Sequence, residues 1–577
     1  MYVLGINAYH ADSSAAIFKD GIMVAATEEE RFTRVKHWAG FPAEAVKFCL
    51  IEAGISLQEL DYVAIGRDPK AKRMQKIKYL AKYPGSSLKA IGERIKNANK
   101  VSSMEDELHK IDPTVSKANL SKKIIQVEHH RSHLASAFFA SPFEESALLS
   151  IDGSGDFSTT MIGIGRGNKI EILDSVDFPH SVGIFYTAIT QLLGFPHYGD
   201  EYKVMGLAPY GEPKYVDKLR DIILFKDNGL FELNLKYITK NLLGIINYGD
   251  DHIPQVSHLP SAYMIEKLGP VRGKDEELSQ YYIDLASSAQ RLTEELVFHI
   301  LNHLQKRTGI KNVSIAGGVA QNSVANGKIT RNTGFSDVYI PSAGHDAGIS
   351  MGAALYAYNH ELNQPRTAPV YSAYTGSKFS NEEIEAYLKS RDIEYTRMED
   401  AELYDYVSDK LINAGVVGFF SGRAEFGPRA LGARSILADP RREDAKELLN
   451  SKIKRRESFR PFAPSILKEY VSEYFEVDEP VPFMEKVFPI KKEKHKVIPA
   501  VTHADGSGRL QTVDKEYSPR YYALIDAFRK KSGVPILLNT SFNENEPIVN
   551  SPEHALNCYL RTKMDVLVLE NCVVETR

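Results

Sequence analysis

The hydrophobic positions follow two different periods along the chain. Residues 2–27 read YVLGIN, a polar turn and AAIFKDGIMVAAT; residues 147–164 read ALLSID, the turn GSGDFS and TTMIGIG. Each stretch predicts strand, small-residue turn, strand, a geometry in which backbone N–H groups come close to an anion. From Ser288 to Arg307 the period becomes helical, with Leu292, Leu296, Ile300 and Leu304 on one face. That helix leads into the apolar strand NVSI and then AGGVAQN, Ala316–Asn322, where Gly317 and Gly318 open the next helix and let backbone lie against a nucleotide. A further strand, DVYIPSA, meets GHDAG, Gly344–Gly348, and the apolar helix ISMGAALYAY.

Two strand-turn-strand hairpins followed by a glycine-pair nucleotide turn are the plan of the actin-like ATPase and sugar-kinase fold, so the expected class is α/β. Asn359–Lys378, rich in Pro, Ser, Thr and Gly, reads as a boundary. The expected domains are 1–360 and 370–577, the second also α/β.

Composition narrows the function classes. Of 577 residues, 43% are hydrophobic and 25% charged, which is ordinary globular material. Lys and Arg number 71 against 75 Asp and Glu, a balance of −4 that disfavours a nucleic-acid-coating protein. No run of eighteen apolar residues occurs, so no membrane span is expected. The N-terminus reads as a strand and not as a signal peptide. Cys49, Cys558 and Cys572 are dispersed and form no CxxC pair, which fits a reducing cytoplasm. Between Lys70 and Lys100 stand ten basic residues and one acid, Glu93. This is a solvated helical pair or a cap over an anionic ligand.

Two constellations carry chemistry. In VEHHRSHLASAFFA, Val127–Ala140, a helix would place His129 and His133 one turn apart on one face, with His130 pointing elsewhere. Asp152 and Asp346 both stand in small-residue turns at strand ends, where ligands gather. Two imidazoles and two carboxylates suit Fe(II), Mn(II) or Zn(II) with positions left open. In the C-terminal part, GFFSGRAEFGPRALGARSILADPRR and NSKIKRRESFRPFAPS place Arg423, Arg429, Arg434, Arg441, Arg442, Lys452, Lys454, Arg455, Arg456 and Arg460 among glycines and prolines. Arg509 follows in GRLQTV, and the strand PILLNTSFN delivers Asn539, Thr540, Ser541 and Asn543 at its end. Basic residues on loops beside small residues suit a polyphosphate. GxxxxGK[ST] is absent, so this is not a P-loop.

The motifs INAYHADSSAA, EERFTRVKH, EHHRSH, SIDGSGD, GDEYKVMGLAPYG, AGGVAQN, AGHDAG, EFGPRALGARS, ESFRPFAPS and LNTSFN occur in this order over nearly the whole chain. In them the chain resembles the nodulation/cephamycin-type O-carbamoyltransferases. The resemblance implies an N-terminal domain similar to the tRNA threonylcarbamoyl-transferase branch of the actin-like fold. It implies a C-terminal domain of threonylcarbamoyl-AMP synthase type. In such enzymes carbamoyl phosphate and ATP, with Mg2+, give carbamoyl-adenylate in the C-terminal domain. The carbamoyl group then passes to an acceptor hydroxyl in the N-terminal one. The resemblance makes His129, His133, Asp152 and Asp346 ligands of iron. It puts His10 beside the transfer site as a catalytic group, with Lys454 and Arg460 catalytic in the other domain. Arg429, Lys454, Arg460, Arg509, Asn539 and Ser541 fall on the carbamoyl-phosphate and ATP site. Gly317, Gly318 and Asn322 fall on an adenosine pocket.

The implied partner is a small-molecule hydroxyl acceptor, with no nucleic acid and no membrane, and a homodimer is compatible with the chain. The acceptor stays open among aminoglycosides, macrolide-type polyketides, cephems, lipo-oligosaccharides and nucleotide sugars. Antibiotic biosynthesis is one setting for such chemistry. A transferase acting on tRNA and a non-catalytic nucleotide-switched scaffold are the alternatives.

Overall fold

Strands β1 (Tyr2–Asn7), β2 (Ser14–Lys19) and β3 (Ile22–Glu28) form the first strand-turn-strand unit, as the sequence predicts. The structure is a computed structural model that describes residues 1–82, 103–239, 246–248 and 251–575. With β4 (Tyr62–Ile65) and β5 (Ile124–Gln126) these strands make a sheet of order β3-β2-β1-β4-β5. Leu4, Ile6 and Ile17 are fully buried on this sheet, among the residues that the helix Ala43–Ala53 covers. The second hairpin, β6 (Glu145–Gly155) and β7 (Ser158–Arg166), joins β8 (Lys169–Asp177) and the strands Asn312–Ala316 and Asp337–Tyr339. Its order, read from β8, repeats that of the first sheet, with β6 antiparallel to β7 and parallel to Asn312–Ala316. This duplicated sheet is the actin-like fold.

The helix expected over 288–307 runs from Gln280 to Thr308 and stops at left-handed Gly309. Its first turns escape the apolar period because they bury a polar residue: Asp284 accepts from Glu212 N and the Gln280 side chain. The helix His129–Phe138 is buried almost all round. It lies against the helix Gly348–Leu355 so closely that a Cβ on Gly352 would fall 1.8 Å from the Ser132 carbonyl oxygen. Only glycine permits this approach. It brings the turn ahead of Gly348 to the imidazoles of His129 and His133.

The chain divides into two compact units, Met1–Ala325 with Ile329–Val370, and Asn326–Lys328 with Tyr371–Arg577. The first residues of the segment 359–378 still belong to a helix, which ends as a π turn over Tyr356–Glu361. Of the basic stretch 70–100, Arg73–Lys82 is helical and residues 83–100 lie outside the described residues. Among the described residues, no helix is long and apolar enough to cross a membrane.

The second unit is built on a nine-stranded mixed sheet. Its strands lie in the order Thr396–Arg397, Cys572–Glu575, Val566–Leu569, Val417–Phe420, Arg434–Ala438, Ile536–Ser541, Ala463–Leu467, Ser507–Val513 and Lys486–Pro489. Phe419, Phe420, Ile436, Leu437 and Leu538 form its core.

Arg434, grouped above with the loop arginines, is instead a strand residue with no exposure. Its guanidinium donates to the carbonyls of Ser377, Ser421, Gly422 and Ala433, and lies 3.5 Å from the Phe420 ring centroid. It is therefore a strut, not a ligand contact. Arg441 and Arg442 likewise pair with Asp439 and Asp444. An Arg434→Met substitution strands these buried carbonyls at a cost of about 2–4 kcal/mol. The thermal transition of the C-terminal unit should fall by several degrees in scanning calorimetry. An unchanged transition would show that the strut contributes nothing.

Candidate functional site

In the first unit, His129 and His133 stand one helical turn apart, ring centroids 4.8 Å and planes at 84°. Asp152 comes from β6 and Asp346 from the turn before Gly348–Leu355. His129 Nε2 lies 3.2 Å from Asp152 Oδ2 and 3.6 Å from Asp346 Oδ1. His133 Nε2 lies 3.6 Å and 3.4 Å from the same two oxygens. One atom from each of the four buried residues falls within 4.8 Å of the other three. His133 Nε2 and Asp346 Oδ1 are buried without a hydrogen bond. Burial opposes ionisation of both carboxyls, but His129 and His133 hold Asp152 well below the ordinary range. At Asp346, burial and Asp152 are likewise overcome by His10 and His133. Two anionic oxygens and two imidazole nitrogens, with orphaned atoms facing inward, fit a divalent transition metal. His130 turns away to Ser150 Oγ, 2.7 Å off.

His10 joins this cluster from the β1–β2 turn. Its Nδ1 lies 2.7 Å from Asp346 Oδ2, and its ring centroid 5.0 Å from that of His129. Burial would depress its pKa, but the Asp346 carboxylate raises it above the ordinary imidazole value. The turn is held under strain: Tyr9 and Asp12 both have positive φ, at 55° and 56°. Asn7 Nδ2 secures it, facing the carbonyls of Ala11, Asp12 and Asp346. Asp12 Oδ1 pairs with His37 Nδ1 at 2.8 Å, and Tyr198 packs its ring 5.1 Å from that of His37.

The glycine pair serves this cluster directly. Gly317 has φ 107°, and a Cβ there would fall 2.2 Å from the Ile151 carbonyl oxygen. Gly318 N donates to Asp152 Oδ1 at 2.9 Å, orienting the carboxylate. Asn322 exchanges hydrogen bonds with Gln290, 2.9 Å and 3.0 Å, and caps Ala325 N. Its amide is therefore already engaged within the fold.

In the second unit, Arg429, Arg456, Arg460 and Arg509 converge. Burial lowers Arg509 well below its ordinary pKa, and the charges of Arg429, Arg456 and Arg460 lower it further. Burial and Arg460 bring Arg429 down to about 10. Arg509 Nε is buried without a partner. Guanidiniums gathered against their own repulsion make a site for a polyanion. Lys454 is 1% exposed, and its Nζ reaches Ser541 O, Ser541 Oγ, Asn543 O and Asn543 Oδ1 at 2.6–3.3 Å. It ties the LNTSFN strand end to the KIKRR segment. Asn539 Nδ2 faces Ala430 O, Ser465 Oγ and Gln511 Oε1, while its Oδ1 is buried without a partner.

Three organisers escaped the sequence reading. Glu425 Oε1 accepts from the backbone N of Leu431, Ala433 and Arg434, folding the loop that carries Arg429. Asn450 donates to Ser458 O and Arg460 O and accepts from Arg456 Nε. His503 feels the charge of Arg509 and stands six residues before it, ahead of the same strand. Glu425 and Asn450 stand inside quoted motifs, but all of Glu425's partners named here and two of Asn450's three are backbone atoms that carry no sequence signal.

Residues 2–355 match the family model described as carbamoyltransferase N-terminus, and residues 408–576 the one described as carbamoyltransferase C-terminus. The chain is 41% identical to the uncharacterized protein sll1178 of Synechocystis sp., over 99% of this chain and 96% of that one. It is 37% identical to nodulation protein NolNO of Sinorhizobium fredii, over 99% of this chain and 80% of that one. Among solved structures, HypF from T. kodakarensis is similar over 63% of this chain and 48% of that one, at 15% identity and TM-score 0.32.

Proposed function

The chain belongs to the carbamoyltransferase family, and on that premise we propose that it is an ATP-dependent O-carbamoyltransferase working in two steps. In the first, carbamoyl phosphate, ATP and water give carbamoyl-adenylate, pyrophosphate and phosphate at the arginine site of the C-terminal unit. In the second, the hydroxyl of a small-molecule acceptor takes the carbamoyl group at the His/Asp cluster of the N-terminal unit, releasing AMP. The observation that carries this reading is the convergence of Arg429, Arg456, Arg460 and Arg509, whose mutual repulsion an anionic ligand relieves.

Arg429, Arg460 and Arg509 bind the phosphates, and Mg2+ enters with ATP. Lys454 keeps Ser541 and Asn543 in place beside them. His129, His133, Asp152 and Asp346 would hold Fe(II), which supplies Lewis-acid charge where the carbonyl oxygen turns negative. Gly318 N holds the Asp152 carboxylate in its ligating orientation. His10, backed by Asp346, takes the proton of the acceptor hydroxyl. The burial of the His/Asp cluster would keep water from the labile adenylate during transfer.

The test is incubation with ATP and carbamoyl phosphate. AMP and pyrophosphate should form only when both are present. ADP, or no turnover, would leave the nucleotide-switched scaffold as the better account.

A further inference from the structure

The four guanidiniums of the arginine site are all hydrogen-bond donors, and the neighbouring Glu457 carboxylate is already engaged by Arg460 at 3.5 Å. Guanidiniums carry N–H groups and no lone pair to offer. Carbamoyl phosphate presents them with phosphate and carbonyl oxygens, all acceptors, but it also carries an amino group, which is a donor. A pocket of arginines alone cannot hydrogen-bond that group, nor tell it from a methyl group of the same size.

His503 supplies what the arginines lack. It precedes the strand Ser507–Val513 that carries Arg509, and the intervening turn is closed by His503 N to Ser507 O at 2.8 Å. Ser507 Oγ donates its one proton to Asp505 Oδ1 at 2.6 Å. His503 Nδ1 lies 3.2 Å from the same Oγ, which has no second proton to give. Nδ1 must therefore be the donor of that contact, and the neutral ring keeps its lone pair on Nε2. Burial, with the charges of Arg509 and Lys446, pushes the imidazole down to about 4 against the opposing Asp505. The ring is thus neutral under physiological conditions. Nε2 itself is buried with no hydrogen-bond partner. A bare acceptor, fixed by a two-step relay and set among cations, is costly unless a ligand N–H meets it.

We propose that His503 Nε2 accepts a hydrogen bond from the amino group of carbamoyl phosphate, and so selects carbamoyl over acyl groups that lack an N–H. The inference rests on the adenylation reading above and names the residue that reads its one-carbon substrate. His503 is a binding and specificity residue, and Asp505 and Ser507 position it.

The experiment measures, by calorimetry on the full chain, binding of carbamoyl phosphate, acetyl phosphate and inorganic phosphate to wild type, His503→Leu and His503→Gln. Pyrophosphate release is followed in parallel with ATP and with ITP, whose base has no 6-amino group. His503→Leu should weaken carbamoyl phosphate by roughly tenfold to a hundredfold. Acetyl phosphate and inorganic phosphate should stay within about twofold of wild type, since the arginines alone hold them. His503→Gln, which returns an acceptor oxygen near the Nε2 position, should recover part of the loss. Equal weakening of all three anions would overturn the proposal and make His503 a support for the arginines. A loss seen with ATP but not ITP would overturn it too, assigning the acceptor to the adenine amino group. A wild type that binds none of the three anions would instead sink the adenylation reading itself.

Discussion

The His129→Ala/His133→Ala double variant should lose its transition metal and its carbamoyl transfer, yet go on releasing pyrophosphate from ATP and carbamoyl phosphate. Both imidazoles are buried, and each faces one oxygen of Asp152 and one of Asp346. Their removal leaves two carboxylates with no nitrogen donor to complete the set, and metal content should fall close to zero by elemental analysis. A Lewis acid at a developing oxyanion is worth several kcal/mol. Transfer to a hydroxyl acceptor should then drop by about 10³-fold or more, since each 1.36 kcal/mol is tenfold in rate. Adenylation should persist near the wild-type rate, because its residues are polybasic and belong to the other compact unit. A His10→Ala variant should split the two activities in the same way while keeping its metal. Should pyrophosphate release vanish in the double variant while both thermal transitions survive, the two-step division fails.

The second large effect is expected at Arg509, where stability and function should move in opposite directions. Arg509 is half-buried, its Nε is buried with no partner, and three other guanidiniums raise its electrostatic cost. Without a ligand it destabilises the unit that holds it. Arg509→Met should therefore stabilise the ligand-free C-terminal unit by about 0.5–2 kcal/mol, as relief of other strained functional sites does, and so raise its thermal transition. The sign follows from the charge: burial lowers the pKa of a cation, so the unfolded chain carries its proton more cheaply than the folded one across the neutral range. The same substitution should raise the concentration of carbamoyl phosphate or ATP needed for half-maximal pyrophosphate release by roughly ten- to a hundredfold, the loss of one charge-assisted contact of about 1.5–3 kcal/mol. Arg434→Met is its opposite, since that guanidinium already spends its donors on four carbonyls. An Arg509→Met protein less stable than wild type, with unchanged substrate requirements, would make Arg509 another strut.

The residues proposed for adenylation also differ among themselves. Lys454 holds four acceptors within the fold, so its loss should lower stability as well as turnover, unlike that of Arg509. Reactions started from preformed carbamoyl-adenylate should bypass the defect of either variant.

Much of the molecule was legible from local pattern. The apolar runs in YVLGIN and ALLSID, each bounded by a small-residue turn, predicted the strands that start both sheets, because a strand buried on both faces reads as a short apolar run. The four-residue spacing of His129 and His133 predicted their shared face, because helical geometry is local. The glycines of AGGVAQN marked a tight turn, and Gly317 there has the positive φ that favours glycine. Which carboxylates would meet the two imidazoles was less secure. Asp152 and Asp346 are 194 residues apart by number, and what joins them is the approach of two helices at Gly352 and Ser132.

Charge proved the least legible property. The arginines of EFGPRALGARSILADPRR look alike in sequence, yet Arg434 is a buried strut, Arg441 and Arg442 pair with nearby carboxylates, and Arg429 joins the repelling cluster. A guanidinium's role depends on whether acceptors lie within about 3 Å of it, and that is set by tertiary packing and not by neighbours along the chain. The same holds for His503, whose free lone pair follows from where Asp505 and Ser507 place their oxygens. By itself, then, the sequence determined strands, helices, turns and the kinds of chemistry present, because those rest on short-range geometry. Only the tertiary structure decided which polar groups are spent on the fold and which are left for a ligand, because a hydrogen bond is satisfied by proximity in space.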